Sequence, residues 1–184
     1  MYPIIKKASR IKGRTIELRD ATLDDAPFIH GLRMDEELSL YLSVVSPELD
    51  EQVRWLSDYQ RSTGQAYFVV RDMRANIDMG TVRLYNAKDD SFSWGSWIVL
   101  KSAPPHVAIE SALMVYRYGI DLGFRRAHFE VRKANVSVWR FHERFGAKRV
   151  AEDSEQFFYQ LEESAMLDSL SRYRRYLPDS VLVE

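Results

Sequence analysis

The chain has 184 residues, of which 46% are hydrophobic and 29% charged, and its formal net charge is −1. That length and balance predict one globular domain with its own core, and the near-zero charge supplies no global field to attract nucleic acid. There is no cysteine, which excludes disulfides, thiolate metal sites and a cysteine nucleophile together.

A chain without cysteine suits the cytoplasm. His30, His106, His128 and His142 show neither HxxH nor HExxH spacing, so no metal is expected. The opening "MYPIIKKASRIKGR" carries five basic residues but no apolar core follows them. It reads as a poorly ordered leader, 1–14, free to pack on the body, rather than a basic recognition arm or a signal peptide. No apolar run approaches the roughly 20 residues of a membrane span, so no membrane partner is expected.

"TIELRD" (15–20) reads as a first strand. Thr22 with Asp25 three later is a capping-box start for a helix faced by Phe28, Ile29 and Leu32. A second helix is expected to open at Ser46-Pro47 and to run on Leu49, Val53 and Leu56 to Gly64. Three strands follow, "AYFVVR" (66–71), "MGTVRLY" (79–85) and "SFSWGSWIVL" (91–100), with turn-rich segments between them, which predicts an antiparallel meander. Ile109, Ala112, Leu113, Tyr116 and Ile120 mark a long helix over about 106–122, closed by Gly123. "AHFEVR" (127–132) is a strand, and a crossover of this length makes it parallel to 91–100.

"ANVSVWRFHERFGAK" (134–148) reads as a short helix with Asn135 as N-cap and Gly146 as the left-handed stop. Val138, Phe141, His142 and Phe145 form its apolar stripe, which puts a histidine on the face to be buried. "KRVAE" and "FFYQL" add two strands. "AMLDSLSRYRRYL" forms a last helix on Met166, Leu170, Tyr173 and Leu177. Residues 15–161 form the domain and 162–184 a helical tail. The fold class is α/β: a mixed, mostly antiparallel central sheet with one parallel pair, flanked by helices.

The order of elements resembles the GCN5-related N-acetyltransferase (GNAT) superfamily over roughly 15–161, closest to the branch like the ribosomal-protein acetyltransferases. "ELRDATLDDAPFIHGLR" is similar to the family's opening strand and helix, "WGSWIV" to its fourth strand, and N-x6-H-E-R-F-G to its closing motif. The resemblance implies the acyl-CoA N-acyltransferase fold, with a fourth and fifth strand (91–100 and 127–132) that start parallel and splay. It also implies acetyl-CoA as cosubstrate, its pantetheine arm along the fourth strand and its pyrophosphate at the start of the following helix. A helix N-terminus suits phosphate physically, because converging N–H donors and the dipole end meet there.

One stretch departs from the family. The usual Arg/Gln-x-x-Gly-x-Gly/Ala phosphate loop aligns with "KSAPPHVAIE", where Ala103 takes the basic position and Pro104 and His106 the glycines. The prolines bring no N–H. Either they pre-shape the turn, with Ser102, Ala103, His106, Val107 and Ala108 still facing phosphate and Lys101 or His106 replacing the guanidinium, or the domain has lost its cofactor. A proline-bearing loop followed by "FHERFGAK" is also similar to acetyltransferases of bacterial surface-polysaccharide sugars.

The remaining roles follow from the same resemblance. A backbone N–H around Ile98, Val99 and Leu100 would hold the thioester carbonyl oxygen. His142 takes the position of the acid that protonates the departing thiol, and Asn135 that of the residue contacting the cofactor arm. The acceptor side falls on Glu36 and Glu37, with neighbouring Asp35, and on Trp55 and Tyr85. The expected function is N-acetylation of a primary amine of a small molecule, an amino sugar or its nucleotide. The alternatives are N-terminal acetylation of a protein, or a non-catalytic binding module of the same fold. The oligomeric state is open, a homodimer included.

Overall fold

The structure is a computed structural model and describes residues 2–178 and 180–184. Its elements are β1 (Arg10–Lys12), β2 (Ile16–Asp20), α1 (Ala26–Met34), α2 (Glu36–Ser39), α3 (Leu49–Arg61), β3 (Ala66–Asp72), β4 (Ile77–Lys88) and β5 (Ser91–Val99). Then come α4 (Pro105–Asp121), β6 (Arg126–Arg132), α5 (Val136–Arg144), β7 (Lys148–Glu152), β8 (Gln156–Glu162), α6 (Glu163–Arg172) and β9 (Leu182–Val183). They build one nine-stranded sheet in the order β7-β8-β6-β5-β4-β3-β2-β1-β9. Its one parallel pair among the described residues is β5–β6. The expected fourth and fifth strands are therefore β5 and β6, and the mixed, mostly antiparallel architecture is that of the acyl-CoA N-acyltransferases.

Two layers of helices cover the central strands, so β3 is buried along most of its length. Phe68 and Val70 pack into the main core with Val107, Leu113, Met114 and Tyr116 of α4. Tyr67 and Val69 face the other way, into a smaller cluster with Ile29 of α1 and Leu56 and Tyr59 of α3. At the start of α1, the Asp25 carboxylate accepts the Thr22 N–H (2.7 Å) and hydroxyl (3.0 Å), as the Thr-x-x-Asp spacing predicts. The helix begins one turn later than that cap, after a short 3-10 turn.

Three local expectations change. The leader is built into the sheet: β1 pairs with both β2 and β9, and Ile5, Ala8 and Ile11 are buried. Its alternation is too short to read as a strand without knowing its partners. α3 starts at Leu49 and not at Ser46-Pro47, because the Ser46 hydroxyl accepts the Glu48 N–H (3.2 Å) and turns the chain before the helix opens. The last helix stops at Arg172, with Leu177 still buried beyond it.

α4 is tied to the opposite edge by Glu110, a buried carboxylate. It accepts the N–H groups of Arg14 (2.5 Å), Thr15 (2.8 Å) and Ile16 (3.3 Å), and the Thr15 hydroxyl. The neighbouring strands β4 and β5 approach so closely that a Cβ on Gly80 would lie 2.1 Å from the Ile98 carbonyl oxygen. That oxygen is backbone and cannot swing aside. Gly80→Ala is expected to cost about 1–3 kcal/mol, read as a lowered urea midpoint with an unchanged m-value. An unchanged midpoint would show that β5 is free to shift.

Candidate active site

β5 and β6 touch as strands only at Ser91↔Arg126 and Phe92↔Ala127. Beyond these two pairs they diverge, and a cleft of about 320 Å³ opens between them. Trp94 to Trp97 of β5, Phe129 to Arg132 of β6, and Asn135, Val138 and His142 beside α5 form its walls. Arg33 of α1 and the segment Tyr41–Ser43 close one side.

A bulge shapes the β5 wall. Thr81 pairs with Ile98 and Arg83 with Gly95, so Ser96 and Trp97 together stand opposite Val82. Ser96 takes a left-handed φ of 44°, which is strained for a residue with a side chain. Its carbonyl is held by the Thr81 hydroxyl at 2.8 Å. Past the bulge, the Leu100 N–H donates to the Met79 carbonyl at 2.8 Å. Alternation along an antiparallel ladder then turns Ile98 toward β4 and Val99 away from it. Of the three amides expected to hold a carbonyl oxygen, those of Ile98 and Leu100 are therefore directed at β4. Val99 alone directs its N–H toward the splayed side.

The loop after β5 ends in α4, whose N-cap is Pro104 and whose first residue is Pro105. The Ala103 N–H goes to the Leu100 carbonyl (2.9 Å) and the Val107 N–H to the Pro104 carbonyl (3.0 Å). That leaves the His106 N–H as a first-turn amide with no backbone acceptor, a smaller donor set than the five-residue expectation. Lys101 pairs with Glu37, and His106 Nε2 is buried without a hydrogen-bond partner. The helix end offers a phosphate the His106 amide and the positive end of the dipole.

His142 is buried on the inward face of α5, as its stripe predicts. Its ring lies 4.3 Å from Phe129, 5.1 Å from Trp94 and 5.9 Å from Trp97, centroid to centroid. Nδ1 is buried without a partner. Burial among aromatic rings disfavours the imidazolium and brings the pKa down to about 3. The imidazole is neutral at physiological pH, so it can donate or accept one hydrogen bond but stores no proton. Gly146 ends the segment at φ 92°, as its position predicts. Asn135 lines the cleft but its side chain does not cap α5; its Oδ1 accepts only the Ser137 hydroxyl at 3.4 Å, while its carbonyl takes the Trp139 N–H.

The acidic cluster is displaced from the cleft. Asp35 caps α2 through the Glu37 and Leu38 N–H groups (2.9 and 3.0 Å), Glu37 pairs with Lys101, and Glu36 is exposed. The carboxylate that does line the cleft is Glu130. Its signal was readable in "AHFEVR": His128 and Glu130 alternate with the buried Ala127, Phe129 and Val131. Tyr85 lines the cleft and Trp55 an adjoining chamber, while Arg33 and Arg83 carried no sequence signal.

The fold, the splayed parallel pair and the bulge together define an acyl-CoA-dependent acyltransferase scaffold. The family profile for the acetyltransferase (GNAT) domain matches residues 15–148, and the chain belongs to that family. Apo FdhC, described as a nucleotide-linked sugar GNAT, is 34% identical over 91% of this chain and 98% of its own, with a TM-score of 0.82. A GCN5-related N-acetyltransferase from Brucella melitensis shares the fold at 18% identity over 97% and 90%, TM-score 0.79. So does a spermidine N-acetyltransferase from Vibrio cholerae in complex with CoA and spermine, at 18% identity over 83% and 98%, TM-score 0.72. A comparison with curated proteins gives no match. No helix among the described residues is long and apolar enough to cross a membrane, and no group of metal-ligating side chains occurs among them.

Proposed function

We propose that the protein transfers the acetyl group of acetyl-CoA to the primary amine of a nucleotide-linked amino sugar. The observation carrying this reading is the 34% identity to a nucleotide-linked sugar GNAT across nearly the whole chain. The cleft agrees with it, since Tyr85, Gly95, Glu130 and Arg132 offer a polar, partly aromatic wall suited to a sugar.

Acetyl-CoA supplies an activated thioester. The amine nitrogen bonds to the carbonyl carbon, the carbon–sulfur bond breaks, and the amine's surplus proton passes to solvent. In this reading the Val99 N–H holds the carbonyl oxygen, whose charge grows as the bond forms. Glu130 stands beside the acceptor path to hold the ammonium form and take its proton through water. His142 donates one ring N–H toward the sulfur, directly or through water; being neutral, it stabilises the departing thiolate without having to give up a stored proton.

The test is a thermal-shift and turnover panel: acetyl-CoA alone, then with nucleotide-linked amino sugars, free amino sugars, spermine and a peptide N-terminus. A ligand at 100 times its Kd adds about 2.7 kcal/mol. CoA release is expected with the nucleotide-linked amino sugars and not with the peptide. Turnover confined to spermine or to the peptide would overturn the acceptor. No acetyl-CoA binding at millimolar concentration would make the chain a non-catalytic member of the family.

A further inference from the structure

The cleft does not end at the splayed strands. It shares Arg33, Ser43 and Ser96 with a second chamber of about 160 Å³, whose other walls include Trp55, Tyr67 and Arg83. That chamber in turn shares Val45, Gln52 and Trp55 with an outer one of about 430 Å³, which reaches His30 and the rim of α3. The three chambers thus adjoin one another along the segment 41–46, from the cleft to the rim of α3.

Two guanidinium groups line the inner chamber, and neither has a carboxylate partner. Arg19, Arg71 and Arg126 each make an ion pair with an aspartate. Arg33 instead donates Nη2 to the Ser43 carbonyl (2.6 Å) and hydroxyl (3.0 Å), and its Nε is buried with no partner. Arg83 donates Nε to the Gln65 side-chain oxygen (2.9 Å) and lies over the Trp55 and Tyr85 rings at 5.0 Å each. Among the described residues no ion pair involves either one. Removing a cation from water without a counter-ion costs stability. Burial lowers both pKa values, as expected for charges left uncompensated, yet an arginine has no accessible neutral form in which to escape that cost.

We propose that Arg33 and Arg83 seat the diphosphate of a nucleotide-linked acceptor in this inner chamber. The inference rests on the acceptor class proposed above and assigns the residues that select it. Two forked donors flanking one small chamber match a diphosphate better than a single carboxylate. The chamber adjoins the cleft, so a sugar ring would bridge diphosphate and reacting amine. The outer chamber, with the Trp55 edge and Gln52, takes the nucleoside. This seat is separate from the α4 N-terminus proposed for the CoA pyrophosphate: Arg83 stands opposite Gly95, before the bulge, whereas α4 follows the far end of β5.

The test titrates UDP and dTDP into the full chain already saturated with CoA, so that the cofactor site is filled. Saturable binding is expected, weakened at least tenfold in Arg33→Gln and in Arg83→Gln, with uridine and thymidine binding as poorly to the parent chain. CoA affinity should be unchanged in both variants, which also reports their folding, and Arg83→Lys should recover part of the loss by keeping the charge. Nucleoside diphosphates binding both glutamine variants as tightly as the parent, or uridine binding as tightly as UDP, would overturn the seat. Turnover of nucleotide-linked amino sugars alongside either result would leave the proposed function standing without it. Turnover only of free amino sugars, with no UDP or dTDP binding, would remove the acceptor class and the seat together.

Discussion

Ala108→Glu is expected to weaken acetyl-CoA binding by at least 100-fold, about 2.8 kcal/mol at the conversion of 1.4 kcal/mol per factor of ten. Ala108 sits in the first turn of α4, beside the His106 amide, which has no backbone acceptor. A glutamate there sets bulk and negative charge where a pyrophosphate would approach that amide. The same carboxylate is favourable to the helix itself, because it lies near the positive dipole end. Loss of affinity would therefore not be loss of fold, and an unchanged Tm without ligand would separate the two. Calorimetry showing parent-like affinity in the folded variant would move the pyrophosphate elsewhere.

His142→Phe should lower kcat at least tenfold while leaving the KM for acetyl-CoA near its parent value, since in the proposed mechanism it removes a hydrogen bond to the departing sulfur and not a binding contact. Phenylalanine continues the aromatic packing with Phe129, Trp94 and Trp97. The pH dependence follows from the depressed pKa of about 3. In the unfolded chain the imidazole titrates at about 6.5. Below that pH the unfolded state gains a proton that the folded state refuses, so stability complete above pH 6.5 is lost progressively toward pH 3. At pH 5 the loss amounts to about 2 kcal/mol, from 1.5 pH units at 1.36 kcal/mol each. The phenylalanine variant should lack that part of the acid slope. Neutral across the working range, His142 should also impose no limb on kcat between pH 6 and 8. A parent limb near 6.5 that disappears in the variant would sink the assignment of a neutral donor.

Much of the site's frame was legible because its signals are local. The i, i+3, i+4 recurrence of Ile109 to Ile120 marks α4, and Gly123 and Gly146 stop two helices in the left-handed region that glycine tolerates. The stripe that buried His142 was visible for the same reason. The choice of carboxylate was not. Asp35, Glu36 and Glu37 stand out as a run, yet capping and the Lys101 pair occupy two of them, while isolated Glu130 lines the cleft.

The sequence alone determined the order of the longer elements, the parallel crossover and the inward histidine, because periodicity, caps and glycines act within a few residues. Tertiary structure decided the rest. It gave the leader a place in the sheet, since a three-residue strand exists only through its partners β2 and β9. The Val99 amide faces the opening because of the register between β4 and β5, which the Met79–Leu100 bond makes plain. Arg33 and Arg83, fifty residues apart in the chain, share one chamber only because α1 packs across the strand that carries Arg83. Which charges keep their counter-ions is settled by distances between elements remote in sequence, and no local pattern encodes those distances.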